Sequence, residues 1–205
     1  MKKVWHLLFG FAMTAAGCSQ GPARIAAPNI DPESAADAAL ELYDADGDGS
    51  LSKDELAKCP AVLVNLSVYD PNGDGLVSRD EFVARLTEMY GNRVGLTQVA
   101  SQVSLQGRPL VDAVVVFEPE PYLGEEIMAA DGKTDSNGSA PMSIAPEFIP
   151  ENLRQRHKRL SNIGTYTVRI THPTVNLPEK YNVNTTLGYE SQLGSPVAKF
   201  DLSTK

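Results

Sequence analysis

DADGDGSLSKDE, residues 44–55, is answered 26 residues later by DPNGDGLVSRDE, residues 70–81, and how this pair is read decides the first half of the fold. Each stretch sets an oxygen-bearing side chain at positions 1, 3, 5 and 9 and a glutamate at position 12. In the first these are Asp44, Asp46, Asp48, Ser52 and Glu55; in the second, Asp70, Asn72, Asp74, Ser78 and Glu81. Position 6 is Gly49 or Gly75, where the chain must turn sharply with no Cβ in the way. Position 7, Ser50 or Leu76, offers a backbone carbonyl, and position 8 is aliphatic, Leu51 or Val77. A hard cation such as Ca²⁺ takes roughly six to eight oxygens, and this spacing wraps one chain around one ion. A merely solvated acidic loop needs no such register, and here it is complete twice.

Both stretches resemble the loops of the EF-hand family, with every ligand position occupied. The resemblance implies Ca²⁺ at two sites. The first loop offers four carboxylates and the second three, because Asn72 replaces an acid. More carboxylates attract the ion more strongly and repel one another more in its absence. Extracellular calcium modules bind at about 10⁻⁴–10⁻³ M, so resident structural ions are expected.

The flanks fit a compact helix pair over residues 31–92. Asp31-Pro32-Glu33 supplies an N-cap acceptor, a proline at the first helical position and an acid in the first turn, predicting a helix to about Tyr43. Leu40 and Tyr43 precede the first loop as Leu66 and Tyr69 precede the second, a repeat expected of core positions. Only 14 residues separate the loops, and Pro60 among them should divide a short exit helix from a short entering one. That leaves little room for the wide opening of a calcium sensor, which also favours a Met-rich groove. Leu51 and Val77 are placed to pair the loops back to back. Cys59 is expected as a small buried residue. After the second loop, Phe82 and Leu86 should face inward on a helix running to about Tyr90, with Gly91 at its end.

Residues 1–17 have the form of a secretory signal: Lys2 and Lys3, an apolar run from Val4 to Met13, then small residues. The uncharged run of 14 residues to Gly17 is short of the ~20 a spanning helix needs. Ala15-Ala16-Gly17-Cys18 resembles the lipobox of bacterial lipoproteins, although Ala15 stands where leucine is usual. The resemblance implies lipidation of Cys18 and a membrane partner through the acyl chains; plain secretion is the alternative. Ser19 after the cysteine favours the outer membrane or cell envelope. Residues 18–30 are small, polar and Pro/Gly-containing, as in a flexible tether.

Across the 205 residues, 26 acids outnumber 18 bases, and seven of the acids stand at loop ligand positions. The acidity therefore reports metal binding, and without a basic stripe interleaved with aromatics no nucleic-acid partner is expected. Two cysteines give no disulfide framework.

From Val94 the pattern changes to a period of two. Val99, Ser101, Val103 and Leu105 alternate with their neighbours up to a turn at Gly107-Arg108-Pro109. Val111–Phe117 is strongly β-branched, Asp135-Ser136-Asn137-Gly138 signals a hairpin before a strand over Ser139–Ile144, and Tyr166, Val168 and Ile170 share one face of Gly164–Thr171. Val197, Phe200 and Leu202 supply a last strand. The expected fold class is therefore α+β in two domains: a small all-α helix pair, then an antiparallel Greek-key β-sandwich over 94–205.

Residues 95–203 resemble the transthyretin-like, carboxypeptidase-regulatory-like modules. The likeness rests on Val103-x-Leu105-x-Gly107-x-Pro109-Leu110, Asp112-Ala113-x-Val115-x-Phe117, Thr134-Asp135-x-Asn137-Gly138 and Gly164-x-Tyr166-x-Val168-x-Ile170. It implies a non-catalytic accessory domain. Hydroxyisourate-hydrolysing relatives end in Tyr-Arg-Gly-Ser; this chain ends Phe200-Asp201-Leu202-Ser203-Thr204-Lys205, so that activity does not carry over.

Two insertions stand out. Residues 147–160 suggest a short helix ending in Arg154, Arg156, His157, Lys158 and Arg159, a solvated end or a basic patch. Residues 172–193, with Tyr181 and Tyr189, read as a polar loop that either covers an edge or binds an envelope glycan or protein. His157 and His172 stand in unrelated contexts, with no His-Glu-x-x-His or nucleophile-elbow motif, so no enzyme is expected. The functional expectation is an exported calcium-binding lipoprotein with a structural or adhesive role. The alternative is an accessory module whose sandwich recognises the partner while calcium stiffens the stalk.

Overall fold

The computed structural model describes residues 28–91, 94–156, 159–194 and 197–204. The expected signal, Cys18, most of the tether, His157 and Lys158 lie outside these. Among the described residues no helix is long and apolar enough to cross a membrane.

Helix α1 (Pro32–Tyr43) opens as its sequence demands: Asp31 accepts hydrogen bonds from the Ser34 hydroxyl at 2.6 Å and the Ser34 N–H at 3.4 Å. The first loop leads through β1 (Ser50–Ser52) into α2 (Lys53–Leu56). Pro60 begins α3 (Pro60–Leu63), and α4 (Leu66–Tyr69) completes the link. The expected entering helix is thus broken into two single turns. The second loop then leads through β2 (Leu76–Ser78) into α5 (Arg79–Gly91), which buries Phe82 and Leu86 as expected. Strands β1 and β2 pair antiparallel with Leu51 opposite Val77, both fully buried, which sets the loops back to back. Arg79, first in α5, reaches Glu33 and Asp37 of α1 at 2.8 and 2.5 Å. Such exposed pairs contribute little to stability, because water screens them.

The C-terminal half is β-rich: β3 (Leu96–Thr97), β4 (Ala100–Leu105), β5 (Arg108–Pro109), β6 (Val114–Pro119), β7 (Ala130–Lys133), β8 (Ser139–Pro141), β9 (Ser143–Ile144), a single helical turn α6 (Glu151–Arg154), β10 (Ser161–Asn162), β11 (Gly164–Thr171), β12 (Leu187–Ser191) and β13 (Val197–Leu202). The larger sheet is antiparallel in the order β12-β11-β6-β7-β9. In the smaller one, β4 pairs with β13, β5 and β8. Strands β3 and β10 form a separate ribbon. Val115, Phe117, Tyr166, Val168 and Ile170 of the larger sheet and Val103, Ala140, Phe200 and Leu202 of the smaller lie in one buried cluster.

Several expectations are corrected in detail. The β13–β4 pair is parallel, with Phe200 opposite Val103, so the β-region is not wholly antiparallel. The last strand faces Ala198, Phe200 and Leu202 inward and leaves Val197 45% exposed, because alternation allows only one parity inside. The strand expected from Val111 begins at Val114, since Asp112 turns the chain with φ +63°. The turn at Asp135–Gly138 does not join neighbours in one sheet. It carries the chain across to β8, which pairs with β4, and β9 then returns to β7. The helix expected over 147–160 is a 3₁₀ turn (Pro146–Phe148) and the short α6. Arg154 there pairs with Glu151. Finally, residues 172–193, read as a loop, end in the edge strand β12.

That edge strand positions the helix pair. Tyr166 and Val168 point to the interior, so alternation turns Thr165 and Thr167 of β11, with their partners Glu190 and Gly188 of β12, to the opposite face. Helix α3 packs on this outer face against β12 and β11. Helices, larger sheet and smaller sheet thus stack as successive layers through one continuous hydrophobic core.

Candidate metal centre

The two loops fold by the same local chemistry. The first aspartate of each gathers the backbone ahead of it: Asp44 accepts from the Gly47 N–H at 2.7 Å and the Gly49 N–H at 2.9 Å, and Asp70 from the Gly73 and Gly75 N–H groups at the same distances. Positions 3 and 5 repeat the motif. Asp46 and Asn72 accept from the N–H two residues on at 3.1 and 2.8 Å, and Asp48 and Asp74 accept likewise at 2.8 and 2.9 Å. Such Asx turns bring successive side-chain oxygens to one side of the chain. Gly47 and Gly49, like Gly73 and Gly75, have φ between +73° and +89°, where an L side chain is strained. The sequence reading anticipated the glycine at position 6; the structure shows that position 4 needs one as well.

At the end of each loop a serine and a glutamate form a capping box. Ser52 donates its N–H and hydroxyl to Glu55 at 2.8 and 2.7 Å and caps α2; Ser78 does the same for Glu81 at 2.9 and 2.7 Å. Glu55 also accepts from the Ala45 N–H at 2.7 Å, which ties the end of the loop to its start. The Ser52 N–H, then its hydroxyl and the Ala45 N–H, hold the Glu55 carboxyl down at about 2, so it is ionised at neutral pH.

One carboxylate oxygen from each of Asp44, Asp46 and Asp48 lies within 4.8 Å of the others. Three like charges this close repel, and a cation among them removes the repulsion. The donors are all oxygens, which fits a hard ion such as Ca²⁺ and not the nitrogen and sulfur sets that soft or borderline metals take. In the second loop Asp70, Asn72, Asp74, Ser78 and Glu81 hold equivalent places, and Ser50 and Leu76, whose carbonyls are in question, lie in the short ribbon opposite Ser78 and Ser52.

The sequence reading missed how these loops are wired to the sheet. Tyr43 and Tyr69, expected only as core, are buried, but each hydroxyl finds a carboxylate: Tyr43 donates to Glu120 at 3.0 Å and Tyr69 to Glu190 at 2.8 Å. Glu120, 1% exposed, also accepts from the Thr167 hydroxyl at 2.9 Å. Burial pushes its carboxyl up, against the opposing pull of Thr167, Tyr43 and Cys59. Glu190 is paired with the buried guanidinium of Arg85, whose other arm reaches Glu88 at 2.5 Å. The rings of Phe82 and Tyr43 both meet Tyr122 edge-on, at 5.1 and 6.4 Å. Cys59 is buried in this layer, and its thiol is pushed up by that burial. Nothing in the pattern around Glu120, within Glu118-Pro119-Glu120-Pro121, marks it as buried.

Other residues weighed as functional are built into the fold. His172 faces the Val111 carbonyl at 2.8 Å through Nε2 and accepts the Val175 N–H at 2.9 Å through Nδ1, which makes it a loop brace. Tyr181 is buried with its hydroxyl on Ser203, and Tyr189 stacks on Phe117 at 5.2 Å.

No curated protein and no solved structure matches the chain. A family model described as EF hand matches residues 36–60, which hold most of α1, the whole first loop and α2. That match and the Asp44–Asp46–Asp48 cluster together point to calcium binding.

Proposed function

We propose that this is an exported calcium-binding lipoprotein, with one structural Ca²⁺ in each loop and a non-catalytic, transthyretin-like β-region serving envelope structure or adhesion. The observation that carries the reading is the shared architecture of the loops: position for position, the hydrogen bonds from the glycine amides to Asp44 recur at Asp70. Side-chain oxygens of Asp44, Asp46, Asp48, Ser52 and Glu55, with the Ser50 carbonyl, would hold the first ion. Those of Asp70, Asn72, Asp74, Ser78 and Glu81, with the Leu76 carbonyl, would hold the second. The single-turn helices α2, α3 and α4 favour a resident ion over a switch that opens a groove. The anchor rests on Cys18 and its preceding small residues. Of the tyrosines in the segment behind the binding-loop alternative, Tyr181 contacts Ser203 and Tyr189 packs on Phe117.

Calcium is expected to stabilise the folded chain by about 2.7 kcal/mol for each occupied site at a free concentration a hundredfold above its dissociation constant. Thermal unfolding in calcium and in chelator checks this: the midpoint should rise with calcium in the wild type and stay put in Glu55→Gln/Glu81→Gln. An equal rise in both would sink the site assignment. For the anchor, labelled palmitate should be incorporated by the wild type expressed in a bacterium and not by Cys18→Ser; label in neither points to plain secretion.

A further inference from the structure

We infer that calcium binding and the seating of the helix pair on the larger sheet form one coupled equilibrium, transmitted by the hydrogen bonds of Tyr43 to Glu120 and Tyr69 to Glu190. The inference rests on the calcium reading of the loops.

Each tyrosine immediately precedes the first ligand of its loop, Asp44 or Asp70, so its Cα lies about 3.8 Å from that of the ligand residue. Tyr43 ends α1 and Tyr69 ends α4, and the ring of each therefore follows the helix–loop junction that the aspartate organises through the glycine amides. From these two junctions the hydroxyls cross to different buried carboxylates on the sheet side, Glu120 and Glu190, at 3.0 and 2.8 Å. Helix α5, which leaves the second loop, adds Arg85 to the same Glu190. Both ends of the second loop are thus fastened to Glu190 of β12, and the start of the first to Glu120, which follows β6 and is itself held by Thr167 of β11.

A core position alone does not call for this arrangement. Leu40 and Leu66, the partners of the tyrosines in the repeat, pack without a polar group, and phenylalanine would fill the same space as tyrosine. The hydroxyls matter because two buried glutamates, Glu120 and Glu190, need donors for their carboxyl oxygens. Lifting the helix pair strips Glu120 of Tyr43, and Glu190 of both Tyr69 and Arg85. Releasing the cation from the first loop leaves Asp44, Asp46 and Asp48 to repel one another beside the Tyr43 junction. Each event favours the other, and by linkage the effect is reciprocal: what weakens the seat weakens calcium binding.

The test uses residues 19–205 and leaves every ligand oxygen in place. Tyr43→Phe, Tyr69→Phe and the double variant are titrated with CaCl₂ by calorimetry, with circular dichroism confirming that each is folded. Amide exchange of the wild type is followed in calcium and in chelator. Each substitution is expected to weaken calcium binding about fivefold or more. Chelation is expected to speed exchange at Gly188–Ser191 and Ala61–Leu63 about tenfold, with little change in β4 and β13. Wild-type calcium binding, with affinity unchanged within about twofold in the variants and the same exchange at β12 in both conditions, overturns the coupling and leaves the calcium loops standing. No calcium heat in the wild type overturns both.

Discussion

Gly188→Ala is expected to destabilise the protein by about 3 kcal/mol, the upper part of the range for overpacking a closely fitted core. Gly188 lies in the edge strand at the point where α3 crosses it, and a Cβ there would overlap the backbone of Pro60 and Ala61. A long side chain could swing away; a main chain pinned by Pro60 and by the Val62 and Leu63 N–H bonds to the Cys59 carbonyl has no such freedom. The methyl group must therefore lift α3 from the sheet or bend β12 away from β11. Gly91→Ala is the control, because it sits in α5 with nothing within 4 Å of an added Cβ. Urea unfolding should show the Gly188 variant with a much lower midpoint and the Gly91 variant near wild type. Equal midpoints would mean that the helix pair does not rest on β12 as described.

The second large effect is expected at Arg85. Its guanidinium is 6% exposed and faces Glu190, itself 3% exposed in its side chain. Burial works against the Arg85 charge, but the hydrogen bonds and charge of Glu190 outweigh it and hold the guanidinium firmly protonated. Arg85→Met fills a similar volume yet leaves Glu190 as a buried charge with Tyr69 as its remaining named donor. Breaking a buried pair from one side typically costs about 3–5 kcal/mol. Removing both charges, as Arg85→Met with Glu190→Gln, should restore much of that loss, since well-packed neutral replacements of buried pairs are often close to neutral. A double-mutant cycle in chemical denaturation measures this coupling. Additive single effects would show that the two groups do not act as a pair.

Glu190 and Gly188 also show why the β-region was less legible than the loops. The two acidic loops are local: their candidate ligands, glycines and capping boxes sit at fixed offsets within 12 residues, so spacing alone displays them. Strand Gly164–Thr171 was equally plain, because its buried Tyr166, Val168 and Ile170 alternate. Strand β12 carries Leu-Gly-Tyr-Glu-Ser, in which the residues that matter look wrong for a strand. Glycine is there to admit a neighbouring backbone and glutamate to meet an arginine about a hundred residues away. Both reasons lie in tertiary contacts, and neither leaves a local signature. The parallel pairing of β13 with β4 is of the same kind: each strand has the right alternation, but direction is set by how the chain returns across the sheet. The tyrosines before the loops were legible as core and not as donors, because their acceptors belong to distant segments.

The assignment of one Ca²⁺ to each loop is settled by the stoichiometry of calcium binding. Calorimetric titration of residues 19–205 with CaCl₂ should give two ions per chain, one in Glu55→Gln or Glu81→Gln, and none in the double variant. Two ions still bound by the double variant, or none by the wild type, would contradict it.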